Sequence, residues 1–278
     1  MVPIPKKIRP IPMSKFRFIT SLLNPAGGLL YHVKAGLYKD TLWTPFRSMI
    51  ATWMTPWISC VQKTHQNLSR TLLLIGPSGG YCLPLKAISQ VYHEIIYVDP
   101  DPLARLIFES RFKSASEQNR IIRWEIISAD FKSFQSLLSR YPKGDILFCN
   151  FLGQLRFLCN EQQLNDWRNG LRLALKSRHW ASFHDRVSGD IPPKPELRNK
   201  PIIVSPSLTN SDIIERMFEQ SYCEERSTQG SLNASHELLD HLTADLFDGS
   251  LPRFYSWWHL APHQFHLVEG VHSSIEEG

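Results

Sequence analysis

The sequence predicts an α/β fold, a parallel sheet with helices on both faces that closes on a C-terminal antiparallel hairpin. Three observations carry this expectation. Five short apolar runs between Thr71 and Phe183 alternate with stretches of helical periodicity, the pattern of parallel strands joined by crossover helices. The first run empties into Gly76-Pro-Ser-Gly-Gly80, as a buried strand entering a tight turn does. The last stretch breaks the alternation with two strand-like runs, 254–260 and 264–269, around Ala261-Pro262. These two form an antiparallel edge.

Taken in order, the chain opens on a basic segment. No acidic residue precedes Asp40, whereas Lys6, Lys7, Arg9, Lys15, Arg17, Lys34 and Lys39 do. Pro3, Pro5, Pro10 and Pro12 exclude a regular helix at the start. Residues 1–20 read as an extended arm, one that touches RNA phosphates or another acidic surface, or one that packs along the domain as a solvated terminus. The prolines and the scarcity of serine speak against a targeting helix, and the apolar block of a secretory signal is missing. An aromatic segment with Tyr31, Trp43 and Phe46 follows. Ile50, Trp53, Met54 and Trp57 recur at i, i+3, i+4 and i+7, which predicts an amphipathic helix serving as a pocket lid or as packed core. Residues 1–62 are thus expected to be a basic arm and helical cap. Residues 63–278 form the main domain, with an insertion over about 186–250.

Within that domain Thr71–Ile75 is the first strand, followed by a helix over 81–91 with Pro84 in its first turn. Glu94–Val98 is the second and ends at Asp99-Pro-Asp-Pro102. There Asp101 is placed to cap a helix that begins at Pro102 and carries Leu103, Leu106 and Ile107. Arg123–Ile127 is the third strand, leading to Asp130; Phe134, Leu137, Leu138 and Tyr141 mark the next helix. Asp145–Cys149 is the fourth and delivers Asn150-Phe-Leu-Gly-Gln154, before a helix on Leu164, Trp167, Leu171 and Leu175. Trp180–Phe183 is the fifth, followed by His184-Asp185-Arg186. The proline-rich stretch from 186 to about 211 reads as a mobile, substrate-facing loop. His236, Asp240, His241 and Asp245 are expected on a helix beginning near Asn233 or Ser235.

Composition narrows the class of protein. Hydrophobic residues make up 42% and charged residues 21% of the 278, which excludes overall disorder. No apolar stretch approaches the length of a membrane span. The five cysteines are scattered without a CxxC pair, so reduced thiols in a cytoplasmic setting are expected, and no cysteine-based zinc site. The histidines of 236–245 and those at 259, 263 and 266 match no tight zinc spacing either, and no metal site is expected. The net charge of +5 permits an anionic partner without requiring one.

The ordered set of a glycine turn after strand one, acids after strands two and three, an Asn-containing loop after strand four and a closing hairpin resembles the class I S-adenosylmethionine-dependent methyltransferases over roughly residues 60–278. The resemblance implies a Rossmann-like sheet that binds its ligand beyond the carboxyl ends of the strands. Gly76, Pro77, Ser78, Gly79 and Gly80 would approach the cofactor S-adenosyl-L-methionine, and the helix after them would offer free N–H groups to its carboxylate. Asp99, followed by Pro100, would accept the ribose hydroxyl protons. Asp130 and Phe131 would meet the adenine, and Asn150 and Phe151 would flank the sulfonium. Asp99 is equally good turn chemistry and Asp130 equally good helix capping.

Catalytic candidates at this sheet edge are Asn150, which can orient but not titrate, His184 as general base, and Asp185 to orient the histidine or bind a substrate amine. Gln154, Tyr31, Trp43 and His241 are the candidates for contact with the methyl acceptor, itself open between small molecule, protein and RNA. The family's usual acid two positions before the first glycine is Leu74 here. That departure and the basic arm motivate an alternative, a non-catalytic methyltransferase-like binding or assembly factor associated with RNA. Val98-Asp-Pro-Asp-Pro also resembles the second-strand motif of aminopropyltransferases, but the glycine turn does not match theirs. A nicotinamide fingerprint fails at Ser78 and Tyr81.

Overall fold

A computed structural model describes residues 28–64, 70–116, 120–198, 200–204, 209–217 and 238–273. The basic arm at 1–20, His236 and the expected helix start at Asn233 or Ser235 lie outside them. The helices are α1 (Gly28–Tyr38), α2 (Thr44–Thr64), α3 (Leu85–Val91), α4 (Pro102–Ala115), α5 (Phe131–Arg140), α6 (Phe151–Leu158), α7 (Glu161–Leu175) and α8 (Asn210–Met217). The strands are β1 (Thr71–Ile75), β2 (Glu94–Val98), β3 (Ile121–Glu125), β4 (Asp145–Cys149), β5 (Trp180–Gly189), β6 (Ile202–Val204), β7 (Leu239–Asp240), β8 (Arg253–Ala261) and β9 (Gln264–Ser273).

All nine strands join one sheet in the order β3-β2-β1-β4-β5-β9-β8-β6, with β7 paired to β5. The first five run parallel, and β9, β8 and β6 alternate antiparallel beyond β5. Continuous apolar strands such as Leu72-Leu-Leu-Ile75 are buried on both sides because helices cover both faces. Leu72, Leu74, Ile95 and Tyr97 pack with α2, α3 and α4. Leu73, Ile75, Ile96 and Val98 pack with α5, α6 and α7. No helix among the described residues is long and apolar enough to cross a membrane.

Local chemistry sets several helix starts. Asp101 accepts from the backbone N–H of Leu103 and Ala104 and Pro102 opens α4. Asn160 and Gln163 close a reciprocal capping box on α7. In α2, Ile50, Met54 and Trp57 are buried against the sheet, so this helix is core rather than lid, although Pro56 interrupts its interior.

Five expectations need correction. Helix α3 starts at Leu85, not at 81, because Leu83 N–H is already turned back to Gly80 and Pro84 occupies the position before the first turn. Strand β3 ends at Glu125, two residues earlier than the apolar run suggested, since Arg123 pairs with Glu94 on β2 and Ile126 is exposed. Strand β5 continues to Gly189, which puts His184, Asp185 and Arg186 inside it rather than after it. The hairpin is not the sheet border. Strand β9 lies against β5, and β6, drawn from the stretch expected to be a loop, pairs outside β8. Residues 239–240 form a strand instead of a helix, because they complete the free side of β5 opposite Val187 and Ser188.

Candidate functional site

Strand β1 has β2 on one side and β4 on the other, so the chain winds away in both directions at the carboxyl ends of β1 and β4, the edge at which open sheets of this kind bind ligands. At β1 the chain turns through Gly76 with φ 68°. A Cβ there would lie 2.9 Å from Phe151 Cβ and 3.2 Å from the Cys149 carbonyl oxygen, so only glycine lets the turn close against the start of α6. Ser78, with φ 50°, donates its N–H to Asp99 Oδ2 at 2.9 Å, and its carbonyl accepts from the Tyr97 hydroxyl. Asp99 Oδ1 accepts from the Asp101 N–H at 3.0 Å. Burial lifts the Asp99 carboxyl to about 6 against the pull of these two N–H groups. Pro100 beside it is exposed.

Helix α1 overlies this rim. His32 Nε2 lies 3.1 Å from Asp101 Oδ2 and its Nδ1 2.9 Å from the Tyr81 hydroxyl. Burial would raise the Asp101 carboxyl, but His32 and the two capping N–H groups outweigh it and hold it below its ordinary range. Tyr31 packs among Trp43, Tyr81 and Trp258. Its hydroxyl is held well above its ordinary pKa, chiefly by burial and further by Cys82, Tyr81, Asp185 and Asp99. Trp43 is fully buried and donates its indole N–H to the Leu260 carbonyl; it is a core residue, not a substrate contact.

The far wall is a clasp between β4 and β5. Asn150 adopts φ 58°. Its Nδ2 donates to Asp185 Oδ2 at 2.8 Å while its Oδ1 accepts the Asp185 backbone N–H at 2.8 Å. Gly153 lies over the clasp, where a Cβ would come within 2.8 Å of Asn150 Oδ1 and 3.0 Å of the Asp185 nitrogen. His241 donates Nδ1–H to the Gly153 carbonyl at 2.8 Å, and its Nε2 meets Ser188 Oγ at 2.8 Å. His266 Nδ1 lies 3.0 Å from Asp185 Oδ2. Burial alone would raise the Asp185 carboxyl, yet His266, His241 and Asn150 together hold it at about 2. Asp185 Oδ1 and Gln154 Oε1 are buried without a hydrogen-bond partner.

The register explains why Asp185 and Ser188 share a face. Asp185 is opposite Val268 and Val187 opposite Leu267, so Arg186 is an extra residue and β5 bulges there. A bulge reverses the parity of everything beyond it. Strict alternation would have put Asp185 and Ser188 on opposite faces. No sequence signal announces this bulge, and sequence reasoning accordingly missed the convergence of His241, His266 and Ser188 on Asp185. Gly153 was the available hint, a glycine one turn after Asn150.

Four expected residues are engaged in packing or capping. His184 is fully buried on the other face of β5, bonded to Ser182 Oγ and packed on Phe247. Burial, with Arg186 and Arg253, drives its imidazole down to about 3, so it is no general base. Asp130 spends both carboxylate oxygens on Ser133, capping α5. Phe131 is buried against Phe134 and Trp167. Phe151 also packs on Trp167. A surface hollow of 710 Å³ between α3 and α4 and another of 490 Å³ between α2 and β8 are not lined by Gly76, Asp99 or Asn150.

No protein-family model matches this chain, and no curated protein is significantly similar to it.

Proposed function

We infer that the chain is an S-adenosylmethionine-dependent methyltransferase built on a Rossmann-like sheet. One observation carries the reading: the Gly76–Gly80 turn, Asp99 and the Asn150–Asp185 clasp come together at the sheet edge where the winding direction changes. The groups for the methionine and ribose half fit. Ser78 Oγ is buried without a partner, and Asp99, bonded once at each oxygen, keeps acceptor capacity for hydroxyls. Phe131, buried against Phe134 and Trp167, offers no open ring face to the adenine, and we take Asp130 as the cap of α5 and give the ring to other groups.

The cofactor would supply an electrophilic methyl group on its sulfonium; the chain's own residues bind and orient the two substrates. Asp99 takes the ribose hydroxyls. Asn150, locked by Asp185, presents a fixed amide at the end of β4. Tyr31 stays protonated at neutral pH and serves as a hydroxyl donor to the acceptor, while Gln154 Oε1 offers an acceptor atom. Asp185 acts through Asn150, whose amide it fixes from both its carboxylate and its backbone N–H. Calorimetric titration of the full chain with S-adenosylhomocysteine tests the reading. Saturable heat, weakened at least about tenfold by Asp99→Ala, is expected; no heat at millimolar ligand contradicts it.

A second reading, a non-catalytic methyltransferase-like factor that binds RNA, is favoured by a specific observation. Leu74 is fully buried where the family carries an acid, and Asp130 and Phe131 serve α5 and its core. Deleting residues 1–20 should then weaken RNA binding and flatten its salt dependence. Unchanged affinity would remove this reading.

A further inference from the structure

We propose that Asp185, His241 and His266 form a binding site for a divalent transition metal of the zinc type. The three residues come from β5, the turn after β7 and β9, and one donor atom of each lies within 4.8 Å of the others. Two imidazoles and one carboxylate are a complete protein ligand set for zinc, which leaves a fourth position open. Bonds of about 2.1 Å in a tetrahedral shell set donors about 3.4 Å apart, so small side-chain rotations close the site.

The surroundings are those of ligands held in readiness. The Nδ1–H of His241 is committed to the Gly153 carbonyl, which fixes the tautomer and leaves the Nε2 lone pair inward, where Ser188 Oγ now meets it. Asn150 fixes the carboxylate through Oδ2 and the backbone N–H. The side chain of Asp185 is 0% exposed, yet its Oδ1 has no partner, and His266 Nδ1 has no aligned hydrogen bond although it touches the carboxylate. A fully buried carboxylate oxygen without a partner is costly unless a ligand meets it. A divalent cation satisfies Oδ1 and neutralises the buried carboxylate. The β5 bulge at Arg186 is the backbone device that turns Asp185 and Ser188 to the same side.

The site is complete without the methyl donor, so it stands or falls separately from the methyltransferase reading. The test is equilibrium dialysis of the full chain against zinc in the absence of S-adenosylhomocysteine, with metal counted by mass spectrometry. One zinc per chain is expected, with affinity falling at least about tenfold in His241→Ala, His266→Ala and Asp185→Asn and unchanged in the exposed His93→Ala. Where a variant fails to fold, cobalt(II) titration of the unaltered chain decides. An intense visible spectrum of four-coordinate cobalt, abolished by zinc, supports the site; a weak octahedral spectrum overturns it. Substoichiometric zinc, or zinc binding untouched by folded variants, also overturns it.

Discussion

The two faces of β5 bury charge in opposite ways. On one face Glu269 lies 3.0 Å from Arg253 Nε and 3.4 Å from Arg186 Nε and accepts from the Tyr255 hydroxyl at 2.8 Å. His184 and Phe247 close that cluster from the core side. On the other face one carboxylate, Asp185, meets two imidazoles and an amide and keeps an oxygen unused. The first is a carboxylate held between two guanidinium groups, which can only donate, and its Oε1 still has no aligned hydrogen bond; the second is a carboxylate beside two imidazoles, which carry lone pairs of their own. A buried carboxylate with an unbonded oxygen therefore does not by itself mark a site; neighbours that bring their own lone pairs, imidazoles rather than guanidinium groups, do.

The comparison can be broken most easily at Glu269. Glu269→Gln leaves two guanidinium groups facing a neutral amide and should lower the unfolding free energy by about 3–5 kcal/mol, measured by urea denaturation. A loss below about 1 kcal/mol would show that the Arg186–Glu269–Arg253 cluster is not the structural half of the pair.

Next in size is the pH dependence of Asp99. Its folded carboxyl titrates at about 6, against about 3.9 in an unfolded chain. The folded state therefore holds the proton more tightly. The associated stability is present below about pH 4 and is lost as pH rises through about 6, a decline of about 3 kcal/mol. Asp99→Asn should flatten the stability profile over that window; an unchanged slope assigns it to another group.

Asp185→Asn sharpens the contrast with Glu269. It keeps the shape of the clasp and removes the charge, so a cost of about 1–3 kcal/mol is expected, below that of Glu269→Gln in the same urea experiment. A larger cost than Glu269→Gln would make the Asp185 face the structural one. The smallest effect belongs to Asp130→Ala, about 1 kcal/mol from the lost cap of α5. Affinity for S-adenosylhomocysteine should not change with it, and a tenfold loss would return Asp130 to the adenine.

Strands β1, β2 and β4 were legible because they are short apolar runs ended by Gly76, Asp99 and Asn150 and are buried on both faces. The Asp101 cap was legible for the same local reason, a short acceptor before Pro102. What escaped was everything that depends on contacts distant in sequence. The apolar spacing of α2 is the same for a lid as for core, and only its packing on β8 and β9 decides. Ile202–Val204 is too short to show a period. His184 and Asp185 are adjacent in sequence, yet one is locked in the core and the other faces the site, because a strand alternates and a bulge then resets the alternation.

The central claim is that the sheet edge at the ends of β1 and β4 receives an adenosine-bearing sulfur compound. Hydrogen exchange with and without S-adenosylhomocysteine tests it most directly, read on peptides covering 76–80, 99–104 and 150–154. The account predicts slowed exchange in all three, with 131–140 unaffected. Identical exchange in all three segments at saturating ligand would contradict it.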